Sequence, residues 1–186
     1  MRKRPAIFLD RDGTLNLEVD YLRCPEDVSI IPGAAKAIAR LNAMKIPVIV
    51  ITNQSGIGRG VFGWKEYQSV AKKIEELLAN DGAHIDDVYV CPFHENAENE
   101  YRHKDHPDRK PNPGMLFKAA EKHHIDTKRS WMIGDKEIDL EAGRSAGCRT
   151  ALVLTGYGNT ANPELADIVA NNIEQAIEQI LSNWPA

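Results

Sequence analysis

The sequence predicts an α/β domain built on a doubly wound parallel sheet, and three observations carry that reading. Short apolar runs without in-out alternation recur along the chain, the pattern of strands covered on both faces. Stretches with apolar residues at helical spacing separate them. The principal runs end in polar clusters rich in Asp, Gly, Thr or Lys, and sheets of this kind bind ligands beyond the carboxyl ends of their strands.

The first strand is Ala6-Ile7-Phe8-Leu9, ending in Asp10-Arg11-Asp12-Gly13-Thr14-Leu15. Two carboxylates so close together past a buried strand repel each other unless a cation or substrate compensates them, which sets this cluster apart from an ordinary Asp/Gly turn. Asn16 to Pro32 reads as a loop, too short for a second domain. Gly33 to Lys45 places Ala35, Ile38, Leu41 and Met44 on one helical stripe, and Pro47 to Ile51 is the second strand. It runs into Thr52-Asn53-Gln54-Ser55-Gly56-Ile57-Gly58-Arg59-Gly60, a glycine-rich turn whose N–H groups can approach an anion. A dinucleotide fingerprint is disfavoured, because Val61 stands where the third glycine of G-x-G-x-x-G belongs. The next helix carries Tyr67, Val70, Ala71, Ile74, Leu77 and Leu78 on one face.

Asp86 to Val90 makes the third strand, followed by the polar, aperiodic stretch Phe93 to Asp108. Cys91, His94, His103, Asp105, His106 and Asp108 invite a zinc hypothesis, but no C-x-C or C-x-x-C pair is present and a solvated loop is preferred. Arg109-Lys110-Pro111-Asn112-Pro113-Gly114 follows, its prolines stiffening the backbone before a helix bearing Leu116, Ala119 and Ala120. A lysine held there offsets nearby aspartates and binds phosphate as a point charge. Trp131 to Ile133 is the fourth strand, leading into Gly134-Asp135-Lys136-Glu137-Ile138-Asp139 and a short helix with Ile138 and Ala142 inward. Thr150 to Gly156 is the fifth strand, Asp167 to Val169 a short sixth, and Ile173, Ala176, Ile177, Ile180 and Leu181 form a closing amphipathic helix.

The 186 residues are expected to form a single domain, 1–186. A net charge of −4 gives no field to attract nucleic acid or an anionic membrane, and a small-molecule substrate and a monomer are expected. Three scattered cysteines are no disulfide framework and suit the cytoplasm. Met1-Arg2-Lys3-Arg4 begins like a signal peptide, but the apolar run behind it stops at Asp10.

Asp10 and Asp12, Thr52 and Asn53, Lys110, and Asp135 therefore converge on one crevice. Three carboxylates beside a lysine suit a hard cation that keeps several waters, Mg²⁺ rather than zinc. The anion that such a set shares is a phosphoryl group, whose transfer is driven largely by charge neutralisation.

Asp10-x-Asp12-Gly13-Thr14, Thr52, Lys110 and Gly134-Asp135 resemble the four ordered motifs of the haloacid dehalogenase superfamily of phosphohydrolases. Within it, D-R-D-G-T-L-N, T-N-Q-S-G-I-G-R-G, R-K-P-N-P-G-M and G-D-K are similar to the D-glycero-D-manno-heptose 1,7-bisphosphate 7-phosphatases, with histidinol-phosphate phosphatases close behind. The resemblance implies a Rossmann-like fold, Asp10 as nucleophile through an aspartyl phosphate, and Asp12 as acid and then base with its pKa pushed upward. It implies Mg²⁺ on Asp10, Asp135 and the Asp12 carbonyl, Thr52 and Lys110 gripping phosphate, and Asn53 and Arg109 contacting a phosphorylated sugar. Relatives usually carry a zinc loop reading C-x-H and then C-x-C. Here His94 comes one place late after Cys91 and the second element is His106-Pro107-Asp108, so Cys91, His94, His106 and Asp108 are a degenerate set and Zn²⁺ is expected to be lost. The intervals where the superfamily inserts a cap domain are only loop length, which implies a capless, open crevice.

Two rival classes are less consistent with the pattern. A receiver-like phosphorylation switch places its acceptor aspartate after a middle strand, whereas Asp10 follows the first. A phosphatase of nucleic-acid ends needs a basic groove, which this acidic chain lacks.

Overall fold

Strands β1 (Ile7–Leu9) and β2 (Val48–Asn53) are apolar on both faces because both faces are covered. Along β1, Ile7 and Leu9 enter one buried cluster and Phe8 the other; along β2, Val48 and Val50 alternate with Ile49 and Ile51 in the same way. The computed structural model describes residues 3 to 184, the side chain of Asn99 excepted, so Met1 and Arg2 of the basic start lie outside the described residues.

The remaining strands are β3 (Asp87–Cys91), β4 (Trp131–Gly134), β5 (Arg149–Val153) and β6 (Ile168–Ala170). They form one sheet in the order β3-β2-β1-β4-β5-β6 with every pairing parallel. One face is covered by α1 (Ala34–Ala43), α3 (Trp64–Ala79) and α6 (Ile173–Ser182), the other by α4 (Gly114–Lys122) and α5 (Glu137–Ser145). The predicted strands and long helices are all present, displaced only at their ends. No helix among the described residues is long and apolar enough to cross a membrane.

Three local expectations are corrected. The glycine-rich turn contains a one-turn helix, α2 (Ser55–Gly58). A Cβ on Gly56 would stand 2.2 Å from the Phe62 ring and one on Gly58 2.3 Å from the Pro92 carbonyl oxygen, so close packing already accounts for both glycines. Helix α1 stops at Ala43 and leaves Met44, expected inside, 48% exposed. In α5 the buried face is Asp139, Leu140, Ala142 and Gly143, with Ile138 only half-buried.

Strand order reverses direction between β1 and β4, so the crevice of this sheet opens above their adjacent carboxyl ends. Leu9 pairs with Ile133, and the Asp10 N–H donates to the Ile133 carbonyl at 2.9 Å. This register sets the aspartates that follow the two strands side by side.

Candidate active site

The chain leaving β1 turns at once, with the N–H groups of Leu15 and Asn16 both donating to the Arg11 carbonyl. Gly13 sits at φ +84°, and a Cβ there would stand 2.2 Å from Asp135 Oδ2; Gly156, at φ +55°, faces the same oxygen at the same distance. Only residues without side chains can close around Asp135 in this way. Its Oδ2 accepts the Tyr157 N–H at 2.8 Å, while Oδ1 is buried with no hydrogen-bond partner.

Lys110 is buried at the centre of the site. Its Nζ lies 2.5 Å from Asp10 Oδ1, 2.6 Å from Asp139 Oδ1 and 2.7 Å from the Ile51 carbonyl oxygen. Asn53 clasps the Lys110 main chain, accepting from its N–H and donating to its carbonyl, both at 3.1 Å. Asp139 is fully buried, and its Oδ2 accepts the Lys136 N–H at 3.0 Å. Gly134 admits it, since a Cβ there would fall 2.3 Å from Asp139 Cβ.

Asp12 is held apart from this cluster. Its carboxylate accepts from Arg11 Nη2 at 2.9 Å, Asn16 Nδ2 at 3.0 Å and Gln54 Nε2 at 2.8 Å. The same Gln54 amide donates to Thr52 Oγ1 at 2.9 Å, tying the ends of β1 and β2 together. A cavity of about 320 Å³ opens here, its wall including Asp12, Gln54, Tyr21, Phe62, Lys136 and Tyr157.

Charge follows from this geometry. Burial, reinforced by Asp139 and Asp12 against the pull of Lys110, raises Asp10 to about 6. Burial and the neighbouring Asp10 raise Asp135 to about 8. For Asp12, burial pushes upward but the Arg11 guanidinium and the Asn16 and Gln54 amides outweigh it, so its pKa is lowered. The expected upward shift of Asp12 is therefore corrected to a downward one. For Lys110 burial pulls downward, yet Asp10 and Asp139 prevail and keep the ammonium charged.

Asp10, Lys110 and Asp135 are brought together as expected, with Thr52 and Asp12 alongside. Asn53 borders the cavity, where its amide also fixes the Lys110 backbone through both polar ends. Arg109 is half-buried, donates to the Phe93 carbonyl at 3.1 Å and is absent from the cavity wall. Among the described residues no three of Cys91, His94, His106 and Asp108 present ligand atoms within 4.8 Å of one another. Instead the Phe93 and His106 rings stack at 3.6 Å, and His106 Nδ1 accepts the Asp108 N–H. Sequence reasoning missed Arg11, Gln54 and Asp139. The signal for Asp139 was its place one helical turn beyond Asp135.

Two family models match the chain, haloacid dehalogenase-like hydrolase over residues 7–83 and HAD-hydrolase-like over 108–176. A D-glycero-D-manno-heptose-1,7-bisphosphate 7-phosphatase from Thermosynechococcus vestitus is 39% identical across 97% of both chains. The chain belongs to this phosphatase family. A relative named for the β anomer of the same substrate, from Mesorhizobium japonicum, is 44% identical over 82% of this chain and 70% of its own. The crystal structure of the D,D-heptose 1,7-bisphosphate phosphatase of B. bronchiseptica, complexed with magnesium and phosphate, superposes with a TM-score of 0.85 at 32% identity, covering 96% of this chain and 98% of that one.

Phosphatases of this superfamily use Mg²⁺, and the residues here fit it. Asp10, Asp135 and Asp139 offer oxygens within 4.8 Å of one another; oxygens across an octahedral Mg²⁺ stand about 4 Å apart. Neither Asp139 Oδ1 nor Asp135 Oδ1 makes a hydrogen bond, but Asp139 Oδ1 faces the Lys110 ammonium at 2.6 Å and its Oδ2 takes the Lys136 N–H, whereas no cationic side chain pairs with Asp135 among the described residues. Asp135 Oδ1 is thus open to such an ion.

A pH-dependent stability follows. Carboxyls that ionise near 3.8 when unfolded stay protonated in the fold up to about 6 for Asp10 and about 8 for Asp135. Through these two groups the metal-free protein binds more protons folded than unfolded across that window, so their contribution to stability falls as pH rises; His94 and His106, held low mainly by burial, work the other way only below about their ordinary 6.5. The acids with lowered pKa values, Asp12, Glu66 and Asp87, are already ionised above about pH 5 and add no slope there. Thermal melting of chelator-treated protein from about pH 6.5 to about pH 8 is expected to show a falling Tm, with Mg²⁺ raising Tm more at the upper end. A Mg²⁺ effect that shrinks with rising pH would contradict the site.

Proposed function

We propose that this chain is a Mg²⁺-dependent phosphomonoester hydrolase that removes the 7-phosphate of D-glycero-D-manno-heptose 1,7-bisphosphate. The meeting of Asp10, Lys110 and Asp135 at adjacent strand ends, in a chain of this family, is the observation that carries the reading. The free oxygen of Asp10 attacks phosphorus, forming an aspartyl phosphate as the bond to the sugar oxygen breaks. Lys110 holds the other Asp10 oxygen still and, with Thr52, offsets charge on the transferring group. Asp10, Asp135 and the Asp12 carbonyl would hold Mg²⁺, which when bound neutralises phosphoryl charge.

Asp12 gives the leaving oxygen a proton and then takes one from the water that hydrolyses the intermediate. Its resting carboxylate is ionised, held so by Arg11, Asn16 and Gln54. A phosphate dianion arriving beside it favours the neutral form, so substrate binding itself drives the proton onto Asp12. Residues 1–186 act as one domain without a cap, and the loops 16–32 and 93–108 shape an open mouth. The enzyme works as a cytoplasmic monomer on a small phosphorylated sugar, with no role for nucleic acid or membrane.

The test is phosphate release from heptose 1,7-bisphosphate and from histidinol phosphate under saturating Mg²⁺. The bisphosphate is expected to give the higher kcat/KM; preference for histidinol phosphate would move the chain to the neighbouring activity.

A further inference from the structure

The cations that line the cavity are already committed to carboxylates. Arg11 is spent on Asp12, and Lys136 Nζ is 2.8 Å from Glu18 Oε2 and stands 4.6 Å from the Tyr157 ring centroid. Arg59 differs: it stands outside the wall, next to the wall residue Tyr21, it is exposed, and among the described residues no carboxylate lies within 4.0 Å of its guanidinium. Its partner is a phenol. Arg59 Nη1 donates to the Tyr21 hydroxyl at 2.5 Å, and the guanidinium carbon is 5.6 Å from the Tyr21 ring centroid.

Both members of this pair are firmly placed. Arg59 follows α2, which Gly56 and Gly58 seat against Phe62 and the Pro92 carbonyl with no room for a Cβ. Tyr21 lines the cavity and has φ 53°, a left-handed conformation unfavourable to a bulky side chain. Such strain persists where surrounding structure over-determines it, and it gathers at ligand clamps. His94 feels the same guanidinium: burial first, and then the charges of Arg109 and Arg59, hold it below its usual pKa.

We propose that Arg59, set by Tyr21, binds the second, non-reacting phosphoryl group of a bisphosphate substrate at the cavity mouth and so determines specificity. The inference rests on the heptose bisphosphate reading above. A guanidinium held by a neutral phenol keeps its full charge and its remaining donors for a planar, bidentate contact with phosphate. A substrate with one phosphate at the reacting end and another at the far end uses Asp10 and Arg59 at once, whereas one lacking the far phosphate leaves Arg59 in solvent.

The test compares heptose 1,7-bisphosphate with heptose 7-phosphate, which lose the same group, using wild type, Arg59→Ala, Arg59→Lys and Tyr21→Phe. In Arg59→Ala the ratio of kcat/KM for the bisphosphate to that for the monophosphate is expected to fall about tenfold, mainly through KM for the bisphosphate. Arg59→Lys recovers part of the ratio, Tyr21→Phe loses a smaller part, and added salt erodes the wild-type ratio more than that of Arg59→Ala. If wild type prefers the bisphosphate and Arg59→Ala keeps that preference, the role of Arg59 is refuted while the substrate assignment stands. If wild type itself shows no preference, the substrate assignment fails and takes this inference with it.

Discussion

Asp10→Asn is expected to abolish turnover, lowering kcat on the order of 10⁴-fold or more, as loss of a nucleophile that acts in concert with its neighbours does. The amide keeps the shape of the carboxyl but cannot form the aspartyl phosphate, so no phosphorylated protein should accumulate when substrate is added and the reaction quenched in acid. Loss of folding is not an explanation available to this variant. Burial and the neighbouring carboxylates already raise Asp10 to about 6, so the fold disfavours its charge, and a neutral isostere relieves that repulsion. Lys110 retains Asp139 at 2.6 Å and the Ile51 carbonyl at 2.7 Å. Metal-free Asp10→Asn should therefore melt no lower than wild type near pH 8. Activity above about one hundredth of wild type would remove Asp10 from the role of nucleophile.

Lys110→Met is expected to have the largest effect on stability. The ammonium is the counter-charge of two buried carboxylates, and its loss strands both Asp10 and Asp139 with no cation between them. Breaking a buried pair by removing one partner costs about 3–5 kcal/mol. Denaturation in urea without metal should show a loss of that size near pH 8 and a smaller one in mild acid, where Asp10 takes up a proton. Adding Asp139→Asn to Lys110→Met should restore part of the stability without restoring turnover, because one of the two uncompensated charges is gone. A single-variant loss under about 1 kcal/mol would mean that the three groups do not act as a unit.

The strands, the helices and the meeting of Asp10, Lys110 and Asp135 were legible because they depend on local pattern plus one general rule. Apolar runs such as Val48 to Ile51 name buried strands, and polar residues just past such strands face the crevice. What could not be read depends on contacts between residues distant in sequence. Asp139 stands one helical turn beyond Asp135, but only the absent Cβ of Gly134, distant from Lys110 in sequence, lets its carboxylate turn inward to the lysine. Gln54 reaches Asp12 across 42 positions, and Arg11 bends back onto its own neighbour, so the charge on Asp12 was misjudged from the acids alone. Gly56 and Gly58 carried the composition of an anion-binding loop, yet their neighbours across the fold are a phenyl ring and a carbonyl.

The glycines bordering Asp135 and Asp139 also shape how this protein can vary. Gly13, Gly134 and Gly156 contribute no reactive atom, and any larger residue would press on the carboxylate of Asp135 or the lysine-paired Asp139. A saturation library selected for turnover would score them as intolerant as the aspartates, so a map of mutational sensitivity alone would enlarge the apparent chemistry of the enzyme by positions whose whole contribution is empty space.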